Sequence, residues 1–336
     1  MDKVGIGVIG LGNTGLANVR IAKRHPRCSF VAGADLLPER VERAKAEFGL
    51  DWGSTDYHDL LAREDVHIVC VNTPDHLHAE PFVDALKAGK HVFVEKPMAD
   101  NIEDLRKMVE AASEADTKTL VGHILRFNPL IREVKRLIGE GELGQVFYME
   151  ADYIHDLRCQ ADPERFNPAI GMNWWLQREH PMIGGGCHQI DYLRWFIEDN
   201  VAEVQAYSNH MAFPEMKEDD CNVAILRFKG GCIAKVAAVY GPVGPRPAAD
   251  KLAVYGTKAT IMGEMICRDE KEGFVPLGVS WRSGHPFDPQ LDHFIRCVLD
   301  GEKPITDARD GANSAAAAIC AALAAKTGGP VRVPEF

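Results

Sequence analysis

Six residues near the N-terminus, Gly10-Leu11-Gly12-Asn13-Thr14-Gly15, constrain this 336-residue chain more than any other feature. They spell G-x-G-x-x-G. Before them Val4 to Ile9 is a short β-branched run, and after them Leu16 to Lys23 has helical character. A glycine turn that joins a strand to a helix is the fingerprint of a dinucleotide site. Gly10 permits the tight turn, Gly12 lets the backbone approach a pyrophosphate, and Gly15 lets the helix pack close to the sheet. Asn13 and Thr14 open the helix, whose free N–H groups and positive dipole end suit a diphosphate. Asp35 follows about 20 residues on, where an acid accepts hydrogen bonds from ribose hydroxyls. Such an acid repels a 2′-phosphate, so NAD is the expected cofactor. Arg40 lies within reach of that phosphate and keeps NADP open.

The same alternation continues. Phe30 to Ala34, His67 to Asn72, His91 to Val94 and Thr119 to Val121 read as strands. Pro38 to Phe48, Ala79 to Ala88 and Ile102 to Ala115 read as helices between them. Alternating strands and helices of this length predict right-handed βαβ units in a doubly wound parallel sheet, an α/β domain over 1–122. Beyond Gly122 the pattern changes. After a helix from Pro129 to Glu140, the strands Gln145 to Tyr153, Glu203 to His210, Cys221 to Phe228 and Cys232 to Tyr240 follow. Lys251 to Tyr255 and Ala259 to Met262 complete the set. Turns at Lys229-Gly230-Gly231 and Gly256-Thr257-Lys258 predict two hairpins, hence a mostly antiparallel sheet in an α+β domain over 123–336. The alanine-rich stretch Ala312 to Lys326 reads as a final helix, one that packs back on the first domain.

Composition narrows the function. A length of 336 residues fits two domains at roughly 150 each. Hydrophobic residues at 46% and charged ones at 26% exclude a disordered chain. No run of about 18 apolar residues lacks a charge, so no membrane span is expected. A net charge of −11 disfavours nucleic acid as a partner. Nine scattered cysteines with no C-x-x-C pair predict free thiols in a cytoplasmic protein. Met1-Asp2-Lys3 lacks the basic start of a signal peptide.

Two further segments carry a resemblance. Thr73-Pro74-Asp75-His76-Leu77-His78 resembles T-P-x-x-x-H, and Ala88-Gly89-Lys90-His91-Val92-Phe93-Val94-Glu95-Lys96-Pro97 resembles A-G-K-H-V-x-x-E-K-P. Both are motifs of the glucose–fructose oxidoreductase/inositol dehydrogenase (Gfo/Idh/MocA) family. The likeness continues through Arg126-Phe127-Asn128-Pro129 and Gly184-Gly185-Gly186-Cys187-His188-Gln189-Ile190-Asp191. The resemblance implies an N-terminal Rossmann domain and a C-terminal α+β domain whose large sheet is open on one face, used for a homodimer or homotetramer. It implies cofactor contacts at Thr73, Pro74, His78, Glu95, Lys96 and Pro97, a cis Lys96–Pro97 bond, and a substrate held between nicotinamide and second domain.

On the residues alone, Lys96 emerges at the carboxyl end of an apolar strand, where parallel sheets bind ligands. A cation there stabilises the oxyanion that develops as hydride moves. His188 has the acid/base chemistry to accept a hydroxyl proton near neutral pH. Asp191, one helical turn on, shares its face and is expected to orient it. The family pattern places an aspartate four residues before this histidine; here that residue is Gly184. Arg126, Tyr153, Arg158, Trp175 and His180 are the expected substrate contacts, an aromatic and polar set suited to a sugar or polyol. No spacing of histidine, cysteine and acid matches a metal site, so none is expected. The leading expectation is an NAD(P)-dependent dehydrogenase of a sugar, cyclitol or related polyol. The alternatives are a glycosidase that keeps NAD bound for transient oxidation, and a non-catalytic dinucleotide-binding sensor suggested by Gly184.

Overall fold

The computed structural model describes residues 2–158, 176–244, 251–282 and 286–336. The chain divides into two compact units: residues 1–124 with 286–312 and 336, and residues 125–285 with 313–335. The boundary is therefore not a single break after Gly122. The returning segment contains a helix, Phe287–Asp300, whose Leu291, Phe294, Ile295 and Cys297 belong to the core of the first unit.

The first unit is a six-stranded sheet of β1 (Val4–Ile9), β2 (Cys28–Ala34), β3 (Trp52–Ser54), β4 (Ile68–Val71), β5 (His91–Val94) and β6 (Thr119–Val121). Their order is β3-β2-β1-β4-β5-β6 and every pairing is parallel. Strands β1 and β4 are buried at every residue, as expected of a sheet covered on both faces. The helices are α1 (Asn13–Arg24), α2 (Pro38–Phe48), α3 (Tyr57–Leu61), α4 (Ala79–Lys87) and α5 (Ile102–Glu114). The order reverses between β1 and β4, so the crevice beyond their carboxyl ends is the binding position of such a sheet.

The second unit starts with α6 (Pro129–Gly139), capped by the Asn128 side chain with Pro129 in its first turn. Strand β7 (Val146–Ile154) follows, then a short α7 (Pro181–Gly184) and α8 (Cys187–Ile197). Strands β8 (Val201–Asn209), β9 (Cys221–Phe228), β10 (Ile233–Val239), β11 (Ala253–Gly256) and β12 (Thr260–Met262) continue the sheet. So do β13 (Met265–Cys267), β14 (Phe274–Pro276) and β15 (Val331–Arg332). The nine strands run β14-β13-β12-β11-β7-β10-β9-β8-β15. Both expected hairpins form, β9 with β10 and β11 with β12. Strands β7 and β10 pair in parallel, so the sheet is mixed though mostly antiparallel. Helices α9 (Phe287–Asp300) and α10 (Ala308–Thr327) close the chain, the body of α10 from Asn313 lying in this unit. Among the described residues no helix is long and apolar enough to cross a membrane.

Candidate active site

In the first unit the glycine turn is built as its sequence requires. Gly10 has φ +88°, and a Cβ there would lie 2.7 Å from the Asn72 carbonyl oxygen. A Cβ on Gly15 would lie 1.9 Å from the Gly10 oxygen. A Cβ on Gly12 would meet nothing within 4 Å, and no side chain caps α1 there. The first turn, with Asn13 and Thr14, thus offers uncapped N–H groups beside an open space, the arrangement that receives a diphosphate. Asp35 does two things. Its Oδ2 accepts from Leu11 N–H at 2.8 Å and its Oδ1 from Leu37 N–H at 3.0 Å, which ties the glycine turn to the end of β2. Arg40 Nη1 stands 3.4 Å from Oδ2, so the cation that would meet a 2′-phosphate is paired with the acid.

At the ends of β4 and β5 the two remaining motifs meet. His78 is buried, with Nε2 2.8 Å from the Thr73 carbonyl and Nδ1 3.0 Å from the Pro97 carbonyl. Burial holds its pKa below the ordinary value. Its ring therefore braces the Thr73-Pro74 turn against the Glu95-Lys96-Pro97 segment, and both nitrogens are engaged by backbone. His78, expected at the cofactor, thus has its two ring nitrogens on the Thr73 and Pro97 carbonyls. The Lys96–Pro97 bond is cis. Burial pushes the Glu95 carboxyl up to about 7, opposed by the neighbouring Lys96 charge. Glu95 Oε1 and Asn72 Nδ2 are sealed from solvent with no hydrogen-bond partner. Buried polar atoms are normally satisfied. Two such atoms at the carboxyl ends of the central strands, beside the open glycine turn, fit a polar dinucleotide.

In the second unit His188 lies in the first turn of α8, only 3% exposed. Its ring stacks on Tyr153 at 6.1 Å between centroids. Tyr153 comes from the end of β7 and Tyr240 follows β10; the parallel register of these strands brings the rings to 5.9 Å. Tyr153 Oη is 3.4 Å from His155 Nδ1. Tyr240 donates its hydroxyl to Glu179 Oε1 at 2.8 Å, and burial with this carboxylate beside it raises the phenol well above its usual range. His180 caps α7 by accepting from Met182 N–H, and burial pushes its ring down to about 4. Arg158 is held in a two-pronged pair with Asp156. Trp175, like Cys159 and Trp174, lies outside the described residues.

Asp191 and Arg126, expected to orient His188 and to contact substrate, are joined in a buried ion pair: Arg126 Nε and Nη2 donate to the two Asp191 oxygens at 2.8 and 2.7 Å, and Ser314 Oγ donates to Asp191 at 2.8 Å. Arg126 is 1% exposed, and its guanidinium also lies over the Trp195 ring. Breaking such a buried pair is costly. Glu179 is the residue that sequence reasoning missed. Its signal is indirect: a carboxylate absent at Gly184, and an acid five residues earlier.

The fold and the glycine site define a dinucleotide-binding protein. Residues 4–123 match the oxidoreductase family with an NAD-binding Rossmann fold, and residues 131–262 match the GFO/IDH/MocA C-terminal domain. The chain belongs to the Gfo/Idh/MocA family. That family is one of oxidoreductases with an NAD-binding domain, and several relatives of the chain are named as dehydrogenases or reductases. The chain is 29% identical to 1,5-anhydro-D-fructose reductase of Ensifer adhaerens, over 86% of each chain. It is 25% identical to myo-inositol 2-dehydrogenase of Thermotoga maritima, over 91% of each. Its fold matches scyllo-inositol dehydrogenase of Lactobacillus casei with bound NAD(H) and scyllo-inositol, TM-score 0.81 at 22% identity. That match covers 98% of this chain and 99% of the other.

Proposed function

We propose that the chain oxidises a secondary hydroxyl of a sugar or cyclitol, or reduces the matching carbonyl. The nicotinamide, when bound, supplies the two-electron hydride acceptor or donor. Lys96 stabilises the substrate oxygen as negative charge develops on it. His188 accepts the hydroxyl proton in the oxidative direction and returns it in the reductive one. Gly10, Gly12, Asn13, Thr14 and Gly15 hold the diphosphate, Asp35 the adenosine ribose, and Thr73, Pro74, Glu95 and Pro97 shape the nicotinamide end. Tyr153, Arg158, Trp175 and His180 are the proposed substrate-side residues. The observation that carries this reading is His188, buried against Tyr153 in a cluster of aromatic and acid side chains. Such a site pairs a proton acceptor with a face on which a sugar ring packs.

We also propose that a second copy of the chain covers the open sheet face, where Tyr207, Val223, Ile225 and Ile233 are exposed. The cytoplasm is the compartment proposed, as reduced cysteines are usual there.

The deciding experiment follows NADH at alkaline pH with NAD and a panel of cyclitols and sugars, beginning with myo-inositol and scyllo-inositol. Its reverse arm offers 1,5-anhydro-D-fructose with NADH. Turnover on at least one, abolished by Lys96→Ala, is expected. Tight NAD binding with no turnover on any of them overturns the substrate class.

A further inference from the structure

The motif from Ala88 to Pro97 has two ends. Glu95-Lys96-Pro97 follow the carboxyl end of β5, while Lys90 and His91 lie at its amino end, away from the cofactor residues. There one row of hydrogen bonds crosses the four neighbouring strands β1, β4, β5 and β6. His67, the residue before β4, donates its N–H to the Gly5 carbonyl at 2.9 Å. Gly5, in β1, returns its own N–H to His67 Nδ1 at 2.8 Å. His91, first in β5, donates its N–H to the His67 carbonyl at 3.0 Å. Lys118, the residue before β6, donates its N–H to His91 Nδ1 at 2.9 Å. Two of these backbone N–H groups therefore end on an imidazole nitrogen where a sheet would ordinarily supply a carbonyl. The turn that carries His67 is pinned from both sides. Gly5 packs so closely that a Cβ on it would stand 1.7 Å from the Asp65 carbonyl oxygen. Lys90 is buried and donates from Nζ to the Arg63 and Val66 carbonyls at 2.7 and 2.9 Å.

We propose that His67 and His91 form an acid-released latch on the dinucleotide-binding sheet: neutral rings stitch β1 to β4 and β5 to β6 at their amino ends, and protonation of the rings breaks both stitches. A ring nitrogen accepts only while it carries no proton, so both rings must be neutral with the proton on Nε2. A proton on Nδ1 would set donor against donor and send the Gly5 and Lys118 N–H groups to water. Both rings are half-buried, so solvent protons reach them. The charged groups around His67 are Lys90, before β5, and Asp65 in its own turn. Those around His91 are Lys118, before β6, and the His67 ring. Burial lowers the pKa of His67, with Lys90 adding to the effect and Asp65, itself paired with Arg63, opposing it. Burial lowers that of His91 too, with Lys118 and His67 adding to it. With both values depressed, the latch is complete above the ordinary histidine range and is lost as pH falls through the folded values. The glycine turn and Lys96 lie at the opposite ends of the strands, so acid acts on this sheet from the side away from the cofactor.

The test uses the full-length chain and needs no substrate. Histidine labelled with nitrogen-15 in both ring positions is titrated by NMR, which reads the tautomer and the pKa of each ring. The two signals are assigned by their loss in His67→Asn or His67→Gln, and in the same replacements of His91. Both rings are expected to be neutral near pH 7, with the proton on Nε2, and to titrate below the free value of about 6.5. A proton on Nδ1 of either ring at neutral pH, or titration at or above the free value, overturns the latch. The second readout is hydrogen exchange, followed by mass spectrometry in peptides spanning Gly5 and Lys118 and corrected for the intrinsic effect of pH. Between about pH 7 and pH 5 the parent should lose protection about tenfold in both peptides, as a shift of one pKa unit implies. His67→Asn/His91→Asn places an amide oxygen that does not titrate where each Nδ1 stood. It should keep its protection over the same range, whereas His67→Phe/His91→Phe should lack it at every pH. Glu95 titrates at the other end of the sheet in parent and variants alike, so it drops out of the comparison. An asparagine variant that loses protection in acid as the parent does contradicts the latch, as does a phenylalanine variant protected like the parent at neutral pH.

Discussion

Lys96 and Glu95 are neighbours with opposite fates. Lys96 lies at the end of β5 with a role set by its charge, and Lys96→Ala should lower kcat by about 10²- to 10³-fold in steady-state assays. Glu95 carries a buried carboxyl whose pKa is raised to about 7. A carboxyl raised in the folded state favours folding while it is protonated, and that contribution is lost as pH climbs through 7. The cofactor-free protein should therefore melt higher at pH 5 than at pH 8, with Glu95 contributing up to about 3 kcal/mol of the difference. Glu95→Gln should flatten that dependence in thermal melts; an equal slope in both proteins refutes the assignment. Asp191 belongs with Arg126, so Asp191→Asn should cost about 3–5 kcal/mol of stability by stranding a buried guanidinium. The pH profile of whatever activity survives should keep its acid limb. Lys96 and His188 were legible because each sits in a contiguous motif. Glu179 was not, because its partners are brought together by the pairing of β7 with β10 and by a turn with no side chain at 184.

The glycine turn separates two kinds of constraint within one element. A Cβ on Gly15 collides with the Gly10 carbonyl, whereas one on Gly12 projects into space empty of protein. Gly15→Ala should therefore lower the melting temperature. Gly12→Ala should fold as the parent does and lose NAD affinity more than tenfold, since the added methyl stands where the pyrophosphate must approach. Calorimetric melting and NAD titration of the two variants check this; a Gly12→Ala protein with normal affinity contradicts the placement of the diphosphate. The long, buried strands β1, β4 and β5 were legible from their apolar runs. Strand β3 was not, having three half-buried residues, and neither was β14, which is exposed throughout. Helix α9 hid behind Pro289. A proline there reads as a break, yet it occupies the first turn, where its missing N–H costs nothing. The parallel pairing of β7 with β10 joins strands some eighty residues apart, and no local pattern encodes it.

At the scale of the whole molecule the open face of the nine-stranded sheet is the proposed seat of self-association. Val223 and Ile225 alternate on β9 with buried Asn222, Ala224 and Leu226, so both point out of the sheet. Light scattering at micromolar concentration should find the parent chain self-associated and a Val223→Lys/Ile225→Lys variant monomeric. A monomeric parent removes this interface. The return of residues 286–312 to the first unit has a different kind of consequence. The nucleotide-binding core is written in two instalments separated by most of the second unit. On the ribosome, β1 to β6 emerge long before Leu291, Phe294 and Ile295, which complete their packing. During that interval the nascent sheet has an uncovered apolar flank and must wait for residues 286–312. A fragment ending at Gly122 would carry that exposed flank permanently, which makes it a poor guide to the cofactor affinity of the intact enzyme and a ready client for chaperones.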